Sequence, residues 1–348
     1  MTYDGTNQLL NSVVLNAPST QDKAIHFAGM TMYDKTVYLG TNKRDADKKS
    51  FDIPLCISVL KDGSDNFETK EISITPFAIN SDNQLLYNPG TKSLQMLTTT
   101  ELDKDRKGGF ITNRETRSLQ SSGVTIIEPN SMNVQTTVGI DYTLADAYAK
   151  QKLGEKNGFD GNVPQLFLNM DKTITIIPEE RVSISRQRQS NMANTGLVTF
   201  RTSSHLSKIG IIKLDHELKA VESVVLRIRD IGDISVTGAA AAYYFDYKYL
   251  STPAASYIVI NDLEENFDKA ETEKLQSMKT ISDGNTILHK ITKNGVEKSY
   301  VWGKPAKKGD NKFAMVRNST YDPSSQTWAT VVVNGKDKKA KLAWVKFE

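Results

Sequence analysis

Between residues 257 and 275 the chain reads YIVINDLEENFDKAETEKL, an apolar run that then gathers Asp262, Glu264, Glu265 and Asp268. Carboxylates set this close together can hold a cation, exchange protons with a substrate, or open a helix. A calcium loop needs alternating Asp/Asn ligands, a central Gly and a final bidentate Glu at fixed offsets, and this run has none of them in register. Acid/base catalysis by paired carboxyls needs the two groups on either side of a substrate, which adjacency in sequence does not provide. Glu264, Glu265 and Asp268 stand instead where a helical pattern starts. Unpaired N–H groups and the positive end of the helix dipole favour carboxylates there. The structural reading leads. A metal set of Asp262, Glu264, Glu265 and Asp268 is the weaker alternative, and neither a metal nor a cofactor is expected.

Two further stretches could recognise a partner. EERVSISRQRQSNMANTGLVTFRTSSHLS places Arg181, Arg186, Arg188 and Arg201 among Ser, Gln and Asn. Guanidinium forks suit bidentate contacts with carboxylates, so these four are candidate partner-binding residues in a long polar hairpin or loop. In GAAAAYYFDYKYL, Tyr243, Tyr244 and Tyr247 are candidates for stacking on a sugar ring. Strand aromatics more often pack inside a sheet, and the alternation puts Phe245, Tyr247 and Tyr249 on one such face. The four histidines, His26, His205, His216 and His289, have no helical spacing for zinc. His289 alternates with apolar neighbours and reads as a strand residue rather than a base. Cys56, the single cysteine, lies in the apolar run FDIPLCISVL and reads as a small buried hydrophobe. No catalytic residue is assigned: Walker, Rossmann, HExxH and G-x-S-x-G patterns are all missing.

The elements that would position these residues are short strands separated by polar turns. Turn chemistry marks Asp62-Gly63, Asn88-Pro89-Gly90, Glu128-Pro129-Asn130, Met170-Asp171-Lys172, Asp215-His216, Asn294-Gly295 and Asp322-Pro323. Flanks rich in Val, Ile, Thr, Tyr and Phe alternate with period two. Two helices interrupt: YTLADAYAKQKLGEKNG, with Thr143 as its N-cap, Leu144, Tyr148 and Leu153 as its apolar side and Gly154 or Gly158 as its stop; and a second starting at Asp268, with Leu275 and Met278 as its stripe. The middle turns recur at intervals of roughly 40 to 45 residues, near the length of a four-stranded propeller blade. The fold class expected is mostly β: a β-propeller of six or seven blades with two short helical insertions, forming a single domain over residues 1–348. Tandem β-sandwich domains are the alternative.

A formal charge of +3 over 348 residues shows no basic dominance, and nucleic acid is not an expected partner. No apolar run approaches the roughly 20 residues of a membrane span. The start, MTYDGTNQLLNSVV, has no secretory pattern, which fits cytoplasm or equally a segment written without its leader. SDGNT (282–286) and SSQTW (324–328) are fragments of the Ser-x-Asp-x-Gly-x-Thr-Trp box of sialidase-type propellers, without its full spacing.

YIVINDLEENFDK, then SDGNTILHKITKNGVEKSYVWGKPAKKGDNKFAMVRNSTYDPSSQTWATVVV and AKLAWVKFE, together with LLYNPGTKSLQMLTTTE and KLGEKNGFDG upstream, resemble a group of uncharacterised secreted proteins of Bacteroidota. That resemblance implies a propeller-like fold and a periplasmic, cell-surface or secreted location, and it transfers no activity. The function expected is a non-catalytic binding or scaffold module of the cell envelope, engaging a protein partner in an envelope complex or a glycan. The alternatives are a carbohydrate-active hydrolase using carboxylates in a propeller cleft, and a purely structural subunit of an outer-membrane complex. An enzyme calls for carboxylates converging in a pocket, and a scaffold for an extended surface patch.

Overall fold

The computed structural model describes residues 2–3, 9–11, 23–45, 55–72, 77–78, 84–100, 122–159, 161–189, 198–228, 247–276, 278, 280–307, 309–337 and 339–347. They form a mostly-β protein built from antiparallel sheets of consecutive strands. β1 (Thr2–Tyr3) and β2 (Leu9–Asn11) make a two-stranded sheet. β3 (Lys23–Tyr33), β4 (Thr36–Asp45), β5 (Leu55–Leu60) and β6 (Glu68–Ile72) pair in chain order. β7 (Phe77–Ala78) and β8 (Leu85–Asn88) both pair with β9 (Ser93–Thr100), which continues to β10 (Ser122–Ile127) and β11 (Val134–Gly139). β12 (Asn162–Leu168), β13 (Ile174–Gln189), β14 (Val198–Leu214) and β15 (Ala220–Arg227) form one meander, and β16 (Lys248–Ser251), β17 (Ser256–Leu263), β18 (Gly284–Thr292) and β19 (Gly295–Tyr300) the next. In the last sheet β22 (Thr327–Asn334) pairs with β20 (Lys312–Ala314), β21 (Thr320–Asp322) and β23 (Ala340–Lys346).

Every turn read from Pro, Gly and Asn chemistry connects two paired strands. Asp322 shows why such turns are local. Its carboxylate accepts from Ser324 N–H (2.9 Å), Ser324 Oγ (2.7 Å) and Ser325 Oγ (2.6 Å), closing the β21–β22 connection. Those bonds hold its pKa at about 2. The SSQTW fragment therefore has a structural account here: it closes this turn and delivers Trp328, fully buried, into the core.

The described residues divide into two compact units. The first takes in 1–141 with 163–168 and 214–220, and its core joins Ala28, Tyr38, Leu55, Ile57, Leu85, Leu94, Met96 and Ile127. Cys56 is buried on β5, as expected of a small hydrophobe. The second takes in 142–162, 169–213 and 221–348, with Leu250, Tyr257, Val259, Ala314, Val316, Trp328 and Phe347 as one cluster. Each Val, Leu, Ile, Met or Phe side chain among them contributes roughly 1.5–3 kcal/mol by leaving water. Also in this unit, Phe159 is fully buried against two glycines. A Cβ at Gly161 would lie 2.3 Å from its ring and one at Gly210 2.8 Å.

Both expected helices need correction in detail. α1 (Thr143–Lys152) is present, but Tyr142 occupies the N-cap and no side chain caps it. Its inner face is Ala145 and Ala149, with Leu153 just beyond, while Leu144 points to solvent. Gly154 ends it at φ +69, a conformation that suits a residue without a Cβ. α2 is a single turn, Glu264–Phe267, and Asp268 lies at its C-terminal end rather than starting a helix. The reason is Asn266. Its Oδ1 accepts Gln276 N–H and its Nδ2 donates to Gln276 C=O, each at 2.8 Å. These bonds fold the following segment back instead of letting it continue as helix. Met278 is buried, but against Gly284 rather than along a helical stripe.

Candidate functional site

The second unit carries a cavity of ≈ 150 Å³ where several strand ends and turns meet. Its walls include Asp171 from the turn before β13, Lys213 on β14, Glu222 on β15, Thr252 and Ser256 at the β16–β17 turn, and Thr292 at the end of β18. Strand polarity explains the gathering: Thr175 enters β13 next to that turn while Lys213 leaves β14, so both stand at one end of the meander.

Beneath these groups lies a buried hydroxyl network. The Tyr249 hydroxyl donates to Asn169 Oδ1 at 2.7 Å and sits 2.9 Å from both Thr175 Oγ1 and Ser256 Oγ. Asn169 Nδ2 in turn donates to Thr173 Oγ1 at 2.9 Å and Thr175 Oγ1 at 3.0 Å. Burial raises the Tyr249 pKa against the bonds from Ser256 and Thr175, so the phenol stays neutral and keeps its donor. The β16–β17 turn is fixed too: Thr252 Oγ1 accepts Ala255 N–H at 3.2 Å and donates to Ala255 C=O at 3.1 Å. A polar floor whose own hydrogen bonds are made is rigid, and its remaining lone pairs are available to a ligand.

Asp171 is one of the charged residues of the lining, with Lys213, Glu222 and Lys293. Burial alone would raise its pKa, but the bond from Lys213 Nζ (2.7 Å), those from the Thr173 hydroxyl and N–H, and the Lys213 charge outweigh that and hold it below its ordinary value. It is therefore an ionised carboxylate at neutral pH. Glu222, half-buried on β15, brings a second carboxyl to the same cavity.

None of the site residues singled out by sequence is among the described residues that line this cavity. Arg181, Arg186 and Arg188 fall in β13 and Arg201 in β14, with side chains outside the described residues. Tyr243 and Tyr244 also lie outside them. Tyr247 is buried, its hydroxyl donating to the equally buried Glu179 at 3.0 Å. Of the acidic run, Asp262 ends β17, Glu264 and Glu265 make the first turn of α2, and Asp268 follows it. Among the described residues no group of three His, Cys, Asp or Glu side chains could hold a metal ion, and no helix is long and apolar enough to cross a membrane. Sequence reasoning missed the cavity acids. Asp171 showed only as a turn residue and Glu222 only as a polar position in a strand.

No protein-family model matches the chain, and no curated protein does. Solved structures that align with it include a thermostable family-43 glycoside hydrolase, 11% identical with a TM-score of 0.34 over 96% of this chain and 94% of that one. An α-L-arabinofuranosidase from Lactobacillus brevis aligns at 11% identity and TM-score 0.35, covering 93% and 92%. An acylaminoacyl peptidase from Pyrococcus horikoshii aligns at 10% and 0.44, covering 94% of this chain but 39% of that one. Identity this low transfers no residue role. The expected non-catalytic envelope module finds no counterpart among these structures, which are of enzymes, two of them glycosidases.

Proposed function

We propose that the protein is a carbohydrate-active hydrolase whose site is the hydroxyl-floored cavity of the second unit. The observation that carries this reading is the convergence of two carboxyl side chains, Asp171 and Glu222, on a cavity floored by Thr175, Ser251 and Ser256. Sugars present dense, directional donors and acceptors, and hydroxyl side chains can serve as either. Glycosidic cleavage needs one carboxyl as proton donor to the leaving oxygen and one as an ionised partner. Asp171, held ionised by Lys213, takes the second role, and half-buried Glu222 takes the first. Lys213 and Thr173 then act through Asp171, fixing its orientation.

The consecutive four-stranded antiparallel sheets support reading the architecture as propeller-like, each sheet a blade. An exported location, implied by the Bacteroidota resemblance, belongs to the same proposal.

Affinity electrophoresis through gels containing a panel of plant, bacterial and animal polysaccharides tests the site. At least one polymer should retard the wild-type protein, and Ser256→Val should reduce that retardation several-fold, with a fall in stability no larger than the about 0.5–1.5 kcal/mol of its one bond to Tyr249. Retardation by none of the polymers, or equal retardation of the variant, would remove the cavity as a glycan site.

A further inference from the structure

The β16–β19 sheet has a second cavity, independent of the first. By register Ile258 faces His289 and His289 faces Lys298, so the sheet face that carries Ile258, Ile260 and Asp262 also carries His289 and Lys298. His289 is 4% exposed, and neither ring nitrogen has a hydrogen-bond partner among the described residues. An unbonded imidazole in an apolar setting is costly, which is why such groups call for an explanation. Burial, with the Lys298 charge adding to it, pushes its pKa down to about 3. The ring is neutral and offers one N–H and one lone pair.

The space in front of it is a cavity of ≈ 50 Å³ whose apolar walls include Leu226, Ile287 and Val296, and whose polar lining takes in Arg227, Asn266 and Glu271 besides Asp262, His289 and Lys298. One water needs about 10–15 Å³ on such a scale, so the space holds several waters or one molecule of a few heavy atoms. The segment following α2 is pinned close by through Asn266, which also donates to Asp262 Oδ1 at 2.7 Å. Leu263 N–H bonds the same oxygen at 2.8 Å, so Oδ2 carries neither bond.

We propose that this cavity binds the hydroxyl group of a small neutral ligand with an apolar body of about three or four carbons. Charge decides the class. The lining carries two cations, Arg227 and Lys298, and two carboxyls, Asp262 and Glu271, so its charges balance and a ligand charge of either sign would meet a like charge there. A hydroxyl donates to the His289 lone pair, while a water in the cavity donates one hydrogen to its oxygen and the other to the ionised Asp262 carboxylate. The alkyl chain covers Leu226, Ile287 and Val296, and no charge is buried.

The test is an NMR titration of the full chain labelled at histidine, with the His289 imidazole signals assigned by loss in His289→Gln. The probes are 1-propanol, propylammonium and propionate, which share a chain length and differ in charge. A ligand of four heavy atoms binds no tighter than on the order of tens of micromolar, so a saturable His289 shift with a midpoint in the millimolar range is expected for propanol alone. Val296→Phe and, from the covering segment, Ala270→Leu should each fill the space and weaken the midpoint at least tenfold. Either variant keeps the test valid if the other unfolds. Absence of a saturable shift would mean that the cavity holds water only. That outcome, equal binding of a charged probe, or an unchanged midpoint in both filled variants overturns the proposal.

Discussion

His289 and Asp262 share one sheet face but push stability in opposite directions with pH. His289 titrates near 6.5 when unfolded and at about 3 when folded. Folding therefore favours its neutral form: its contribution is full above pH 6.5 and is lost as pH falls toward 3. Asp262 has the reverse sign. Burial raises it to about 6 against the bonds from Asn266 and Leu263 and the charges of Lys298 and Lys269. Its contribution is full below about pH 3.8 and is lost as pH rises through 6. The histidine shift is the larger, so between pH 4 and 6.5 its effect prevails and net stability from this pair rises with pH. Replacing Asp262 by Asn keeps the acceptor for Asn266 and removes the ionisable proton. Urea unfolding should then show the variant more stable than wild type by about 1–2 kcal/mol at pH 7.5, with no gain at pH 4. Equal gains at both pH values would place the effect outside ionisation. Replacing His289 by Leu should flatten the acid limb of the wild-type profile below pH 6.5, and an unaltered limb would show that other groups govern it.

At the scale of elements, what was legible in the sequence was what is decided locally. Asn88-Pro89-Gly90 and Asn294-Gly295 specify turns with their own backbone preferences, and each joins the strands expected of it. The second helix was misread because Glu264, Glu265 and Asp268 do have helix-start chemistry, and the first two use it. What ends the helix after one turn is Asn266 bonding to Gln276, ten residues on, which no local pattern announces. The inner face of α1 was misjudged for a related reason: close packing selects Ala145 and Ala149 over the larger Leu144. Small residues also govern the seat of Phe159. Gly161→Ala and Gly210→Ala should each destabilise by about 1–3 kcal/mol through overpacking, measured as a lower melting temperature. A neutral result at both would show the ring free to move. The closing strand gives a further expectation. β23 pairs along its length with β22 and brings Phe347 onto Tyr257, ring centroids 4.9 Å apart. Deleting the chain from Lys341 onward should therefore lower the melting temperature strongly or abolish soluble folding, and a truncated chain that melts like the full one would contradict this.

At the scale of the whole molecule, the mostly-β class followed from strand and turn chemistry, while the candidate site did not. Asp171, in the turn before β13, and Glu222, on β15, belong to different parts of one meander, and only its completed register and the neighbouring β16–β17 turn bring them to one cavity. Neither residue sits in a motif, so no inspection of local sequence could have chosen them over the other 39 of the 41 acidic residues. The acidic run that looked most like a site is instead spread over a strand end and a helical turn. The central claim, hydrolysis at the Asp171–Glu222 cavity, is tested most directly by reducing-end release from a polysaccharide that the wild-type protein retains, comparing wild type with Glu222→Gln. Wild type should release reducing ends, and the variant should still bind but lose about 10²–10⁴ in kcat, the usual share of a general acid. Release at the wild-type rate by Glu222→Gln, or no release by wild type from any polymer it binds, would contradict the account.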